Sequence, residues 1–295
     1  MPPLGMIGRP VFQSLVMDRA QHIRRVALGV ALTCSVTLTA TAQNNNALPT
    51  AAEVMDKVIE RARWVQENKP ALQYTYHQQV LVEKLDGQGA VKEREERIYE
   101  LVRIDSEPYL RLVQKNGQPP TADDLAEETK REKEFRKRLA ERRKKRSDDE
   151  SFRFDRELVS KYRGEMLGRD IVNGRPAYLL RFEPKSRDLP VRKRVDRLTN
   201  KLAGKLWIDA QDYEVVKAEG NLIEPARVGW GLIANFSKLD FSVEMVRLDA
   251  STYLPLRLDA LLQGRILFNS MHQRQIIHWR DFRKADAVAQ RGATN

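Results

Sequence analysis

In Tyr253-Leu-Pro-Leu-Arg-Leu-Asp-Ala-Leu-Leu-Gln-Gly-Arg-Ile-Leu-Phe268 the even positions read Leu254, Leu256, Leu258, Ala260, Leu262, Gly264, Ile266 and Phe268. The odd positions include Arg257, Asp259, Gln263 and Arg265, with Asn269 just beyond. Successive side chains of a strand point to opposite faces, so this alternation predicts a long strand with one apolar and one wet face. The preceding segment Asn235–Arg247 repeats the design, with Leu239, Phe241, Val243 and Met245 alternating against Lys238, Asp240, Ser242 and Glu244. Two neighbouring strands of one design predict a sheet with one apolar face, on which Leu239, Phe241, Val243, Met245, Leu254, Leu256, Leu258 and Leu262 are the candidate ligand-lining residues.

Further out, Gly204-Lys-Leu-Trp-Ile-Asp-Ala-Gln-Asp-Tyr-Glu-Val-Val-Lys-Ala-Glu-Gly220 reads as strand, turn and strand, and His278-Trp-Arg-Asp-Phe-Arg283 closes the last strand. With Tyr253-Leu-Pro-Leu-Arg257, these segments resemble the lipoprotein-sorting (Lol carrier, LolA-like) family. The resemblance runs over most of the chain after residue 42 and is best over Gly204–Arg283. It implies a mostly β (α+β) fold: an incomplete antiparallel barrel with helices packed against its apolar concave face. It further implies a protein that carries or senses acyl chains in the bacterial periplasm. Its motifs are structural, and none fixes the place of a polar ligand-contacting residue.

The chain opens on a targeting pattern. Arg24-Arg25 precede the apolar run Val26–Ala42, which ends Ala40-Thr41-Ala42, with small residues where a signal peptidase reads. The run is at the short end for a membrane span and rich in Thr and Ser, so a secretory signal over 1–42, cleaved after Ala42, is expected over a spanning helix. Met17 would make a more ordinary start than Met1, and no aromatic follows Arg24-Arg25 as a twin-arginine signal would have it, so general secretion is expected. Cys34 is the one cysteine and lies inside this segment, with Ala31-Leu32-Thr33 before it fitting a lipoprotein signal poorly. The exported protein is then free of cysteine, which removes disulfides, thiol catalysis and thiolate metal sites.

The formal net charge is +11, and the segment 1–42 carries four bases against one acid, so cleavage leaves +8. Residues 121–146 hold eleven bases and seven acids, and residues 185–201 hold seven and two. These two segments account for all of the excess. A localised basic surface on an exported protein points to an anionic membrane surface or an acidic protein partner rather than nucleic acid. The contact is expected through Arg142, Arg143, Lys144, Lys145 and Arg146, and through Arg192, Lys193 and Arg194.

After a linker at 43–49, Thr50 with Glu53 three residues on forms a capping-box pattern, and Val54, Met55, Val58, Ile59, Ala62 and Val65 follow at helical spacing. This helix packs on an apolar surface, as core, as a lid over ligand through Val54, Met55, Val58 and Ile59, or as both. Strands are expected at Gln73–Leu85, Val91–Asp105 and Tyr109–Val113. Asp86-Gly87-Gln88-Gly89 joins the first pair, and Asn116-Gly117 ends the third. Thr121–Arg146 is a helix with acids at its start and bases at its end, which complements the helix dipole. Its thin apolar stripe of Leu125, Phe135 and Leu139 suits a solvated insertion, either a charged arm or a docking element. A short helix near Asp155–Tyr162 leads to a hairpin of Glu165–Val172 and Pro176–Pro184 about Asn173-Gly174, and Val191–Leu202 reads as a basic helix. Together the segments predict one domain over 50–285, with roughly ten strands, and a tail at 286–295.

Motifs for chemistry are lacking. His272 and His278 share a strand face but stand roughly 20 Å apart at strand rise, and His77 is remote in sequence. There is no Gly-x-Ser-x-Gly, phosphate-cradling glycine loop or His-Glu-x-x-His. Trp207, Trp230 and Trp279 read as packing or as ligand platforms. No cofactor and no metal is called for, and a monomeric, non-enzymatic periplasmic carrier of acyl chains of lipoproteins or lipids is expected. Three alternatives stay open: a lipid or envelope-stress sensor acting through a membrane partner, a structural domain plugged by its own helices, and an enzyme whose polar residues only the fold assembles.

Overall fold

The computed structural model describes residues 47–144, 154–193, 195–228, 234–266 and 269–285. The expected signal at 1–42, most of the linker, Lys145, Arg146, Arg194, Trp230 and the tail at 286–295 lie outside the described residues, as do the side chains of Arg142, Arg143 and Lys144.

An opening helix α1 (Ala51–Asn68) is followed by β1 (Tyr74–Leu85), β2 (Val91–Ile104) and β3 (Glu107–Lys115). Then come α2 (Ala122–Lys144), α3 (Arg156–Ser160), β4 (Tyr162–Val172), β5 (Arg175–Pro184) and a one-turn α4 (Asp196–Thr199). The remainder is β6 (Leu202–Asp209), β7 (Val215–Leu222), β8 (Ala226–Val228), β9 (Ala234–Arg247), β10 (Tyr253–Ile266) and β11 (Asn269–Lys284). The strands form one antiparallel sheet in the order β3-β2-β1-β11-β10-β9-β7-β6-β5-β4, with β8 paired to β9 off this path. The end strands β3 and β4 do not pair, so the sheet is the open, incomplete barrel that the sequence and its family resemblance imply. Hairpin turns follow local chemistry: Asn173 (φ 50°) and Gly174 (φ 75°) both take the positive angles of a two-residue turn. Asp105 (φ 52°) and Ser106 (φ 68°) make such a turn between β2 and β3 without glycine, so no short-range signal marks it.

Alternation sorts the two faces. The concave face carries the main core, in which Leu239, Leu258, Ala260, Leu262, Ile277 and Trp279 are buried. The convex face carries cross-strand ion pairs such as Lys84–Glu93 (2.7 Å), Arg274–Asp259 (2.6 Å) and Arg181–Glu165 (2.9 Å), each a modest stabiliser that keeps that face wet. Two glycines set the curl at β6–β7, where Gly204 pairs with Gly220. A Cβ at Gly204 would lie 1.9 Å from the Glu219 carbonyl oxygen, and one at Gly220 would lie 2.8 Å from the Phe241 ring.

α1 starts on the expected capping box: Thr50 accepts from the Glu53 N–H at 3.2 Å, and Glu53 accepts from the Thr50 N–H at 2.8 Å. α2 begins the same way, Thr121 and Asp124 exchanging bonds of 3.2 and 3.1 Å. Far from being an arm in solvent, α2 docks along the β3 edge. Arg131 donates to the Leu110 carbonyl oxygen and lies 5.2 Å from the Tyr99 and Tyr109 rings, Phe135 packs 5.0 Å from Tyr109, and Leu139 is buried. The helix thereby covers backbone groups that an edge strand would leave free for another chain. Its apolar stripe is thin because arginine and tyrosine do much of the contact. Leu125, the first residue of that stripe, is exposed.

The basic helix expected over Val191–Leu202 is not formed; only Asp196–Thr199 is helical. The reason is a buried carboxylate. Asp196, 2% exposed, accepts from the backbone N–H groups of Arg192 and Lys193 (2.8 and 2.9 Å) and from Lys161 Nζ (2.8 Å). Side-chain bonding of this kind gives the backbone an alternative to a helical ladder. Burial raises the Asp196 carboxyl, yet Lys161 and the two N–H groups outweigh it and hold the pKa below the ordinary value.

Two outcomes are expected. Gly204→Ala should cost more stability in chemical denaturation than Gly220→Ala, because the first meets backbone and the second a ring that can turn, with the latter costing about 1–3 kcal/mol. Asp124 is held down at about 2, first by Lys115 and then by Thr121. Such a carboxylate gives stability that is present above its unfolded value of 3.8 and is lost as pH falls through about 2. In acid titrations followed by circular dichroism, Asp124→Asn should be less stable than the wild type at neutral pH and match it below pH 2.

Candidate ligand-binding cavity

Between the concave face and α1 lies a cavity of about 400 Å³. Its wall draws on nearly the whole fold: Met55 and Val65 of α1, Leu101 of β2, Leu180 and Phe182 of β5, Phe241, Val243 and Met245 of β9, Leu254 and Leu258 of β10, and Ile277 and Trp279 of β11. Of the eight apolar residues assigned to the concave face, Phe241, Val243, Met245, Leu254 and Leu258 stand in this wall. Leu239 and Leu262 are buried in the core beside it. Leu256 departs from the expectation. The β9–β10 register shifts between Pro255 and Arg257, so Leu256 is the extra residue of a bulge, half-buried, and its neighbour Pro255 lines the cavity instead. Alternation cannot be carried through a bulge, and the proline, which lacks an N–H to give to the ladder, was its only sign.

Of the expected lid residues, Val54 and Val58 pack with Leu180 and Ile208 in a dry cluster, Met55 borders both that cluster and the cavity, and Ile59 is buried. Arg61 ties the same helix down. It donates to Glu214 Oε2 (2.9 Å) and to the Ser251 carbonyl oxygen (2.6 Å), with its guanidinium 4.7 Å from the Trp64 ring. The bond to Glu214 joins two side chains only 14% and 6% exposed.

Around the β4–β7 side the polar side chains of the wall have partners within the protein. The Tyr162 hydroxyl donates to the Thr199 carbonyl oxygen, Glu214 accepts from Arg61 (2.9 Å), and Tyr253 donates to Asp212 (2.6 Å). The β1–β2 end differs. Arg103 is half-buried and makes its one hydrogen bond among the described residues to the Leu72 carbonyl oxygen, with Glu107 acting on it only at longer range; burial holds its pKa below the ordinary value. Lys69, at the left-handed C-cap of α1, also lines the cavity and makes no ion pair among the described residues. Tyr76 is 9% exposed, and its hydroxyl has no hydrogen-bond partner among the described residues. Burial pushes its phenol up to about 12 against the pull of Arg103. None of these three was marked as a site residue by sequence, although Arg103 continues the inward alternation of Tyr99 and Leu101, where a charge is out of place.

Arg192 and Lys193 stand in the loop before α4, 3.9 and 3.5 Å from Glu157 carboxylate oxygens. His77 lies 3.0 Å from Asp281, while His272 bonds the Asp86 carbonyl oxygen, so the structure does not bring the histidines together. Among the described residues no group of three or more His, Cys, Asp or Glu side chains could hold a metal ion, and no helix is long and apolar enough to cross a membrane.

Neither a family profile nor a curated protein sequence matches the chain. Solved structures do. The chain is similar over 81% of its length, at 9% identity and a TM-score of 0.35, to 97% of an outer membrane lipoprotein-sorting protein domain from Vibrio parahaemolyticus. It is similar over 82% of its length, at 12% identity and a TM-score of 0.28, to 97% of a LolA superfamily protein from Nitrosomonas europaea. A third is MucB in its complex with MucA from Pseudomonas aeruginosa, matched over 80% of this chain and 99% of that one at 13% identity and a TM-score of 0.24. At these levels none of them supplies a site residue, ligand or partner to this chain.

Arg61→Ala should loosen α1 without unfolding the sheet. The expected loss is about 1–2 kcal/mol of stability, with faster hydrogen exchange confined to α1, read by mass spectrometry.

Proposed function

We propose that this protein is a periplasmic carrier that reversibly buries a hydrophobic group, the acyl chain of a lipoprotein or lipid, between its sheet and α1. One observation carries the reading: an apolar cavity of about 400 Å³ persists under α1 although the same sheet packs a continuous core beside it. That volume falls within the roughly 300–1,000 Å³ of small-molecule sites. Burial is the driving force, at about 25 cal/mol per Å² of apolar surface before ordering costs. Catalysis has no place in this reading: the strongly perturbed acids, Asp124 and Asp249, are lowered by hydrogen bonds that fix turns and caps.

Native purification followed by mass spectrometry of extracted organics should return an acyl-chain compound. Phe241→Asp or Leu258→Glu, in the cavity wall, should abolish uptake of a fluorescent acyl probe, whereas Asp240→Asn, on the convex face, should leave it within about twofold. Equal loss from both faces would sink the carrier reading.

The basic segment Arg142–Arg146, with Arg192–Arg194, is assigned to bringing the carrier to an anionic membrane surface, where each base is worth about 1 kcal/mol. Sedimentation with anionic vesicles should fall with added salt, and neutralising Arg142–Arg146 should remove most of it. Salt-insensitive binding would leave an acidic protein as the partner.

A further inference from the structure

Resting on the carrier reading, we infer that the β1–β2 end of the cavity is a headgroup site, in which Arg103, Lys69 and the Tyr76 hydroxyl bind the oxyanion of an anionic amphiphile, a carboxylate or a phosphate joined to an alkyl chain. The ligand is thereby an anionic lipid, with its tail along the Phe241 and Leu258 wall and its head at this end.

Position comes first. Tyr76 on β1 sits beside Leu101 on β2, as the pairing of His77 with Glu100 requires, and Arg103 follows two residues on from Leu101 on the same inward face. Arg103 bonds the Leu72 carbonyl oxygen, and the Leu72 N–H donates to Lys69 O (3.0 Å), so the two cations flank one short turn at the end of α1.

Chemistry comes second. Polar wall residues elsewhere in the cavity are satisfied within the protein, whereas here a guanidinium with a single bond, an ammonium without an ion pair and a phenol without an acceptor face one apolar space among the described residues. Cations stripped of water are costly unless an anion meets them. A guanidinium retains several donors in the fork that fits a carboxylate or phosphate, and a buried tyrosine hydroxyl adds a neutral donor. A neutral ester or a hydrocarbon would add no charge to the longer-range pull of Glu107 on Arg103.

The test is competition for a bound fluorescent acyl probe by dodecanoate, dodecyl phosphate, dodecan-1-ol and inorganic phosphate, using the purified protein. Dodecanoate and dodecyl phosphate should each bind about tenfold or more tightly than dodecan-1-ol. Arg103→Gln and Lys69→Gln should cut that preference by about tenfold together and leave dodecan-1-ol within about twofold, which also shows that the variants fold. Tyr76→Phe should give a smaller loss of the same kind. The ratio of the two anionic compounds tells a carboxylate from a phosphate head. Equal wild-type binding of acid and alcohol, or variants that weaken both alike, would overturn the headgroup site and leave the carrier standing. Competition by inorganic phosphate as strong as by dodecyl phosphate would replace it with a free-anion site. Failure of every alkyl compound to compete would bring down the carrier reading itself. Should the variants not fold, the wild-type ratio of acid to alcohol decides alone.

Discussion

One apolar face of an eleven-stranded sheet has to be kept from water, and α1 brings 18 residues to the task. At about 1.5 Å per residue that helix is roughly 27 Å long, while the ten strands of the main path, about 4.8 Å apart, extend over roughly 43 Å. A flat sheet would leave much of its greasy face bare. The sheet curls instead, helped by close glycine pairing at Gly204 and Gly220 and by bulges in β4, β10 and β11. The helix then spans a hollow, and the cavity is the space that a straight rod leaves beneath a bent surface.

The same geometry divides the charges. On the convex side the strands place opposite charges across from one another, so that face is close to self-compensated and solvated. At one sheet edge, α2 satisfies β3 through Arg131. At the turn between β6 and β7, Asp209 takes a pair of bonds from Arg175 (2.5 and 2.9 Å), while Asp212 takes Arg247 (2.9 Å) and Tyr253, tying β5, β6, β9 and β10 together with paired, partly buried charge. Arg103 and Lys69 stand apart from this pattern, bordering the cavity and joining no ion pair among the described residues.

Much of this was legible in the sequence. Alternation located the long strands to within a few residues, Asn173-Gly174 gave its hairpin, and Thr50 with Glu53 gave the start of α1, because each rests on chemistry confined to a few neighbours. What failed was non-local. The carboxylate that takes the backbone N–H groups of Arg192 and Lys193 is itself paired with Lys161, 35 residues away. The arm at 122–144 became a docked helix through Tyr99 and Tyr109, and Leu256 left the cavity wall because the register of β9 slips against β10. The cations of the cavity escaped notice because a charge at an inward position looks, in sequence, like the end of a strand.

The two ends of α1 follow one rule about polar groups out of water. Near its start Val54 and Val58 are sealed in an apolar cluster, and further along the partly buried Arg61 has Glu214 and a carbonyl oxygen to meet it. Near its end the helix faces the cavity through Val65, then caps with Lys69 in a left-handed conformation and passes into the turn that Arg103 holds by its carbonyl oxygen. Where the chain supplies the counter-charge, the helix is fastened to the sheet. At Arg103, where Glu107 acts only at longer range, the cost of a half-dehydrated cation is set against an open apolar space. Apolar burial alone would take up any greasy chain of the right size, so it supplies affinity with little selection. On the proposed headgroup site, the placement of charge at one end of the hollow would add direction, because a ligand with a single anionic head would lie in the cavity one way round and not the other.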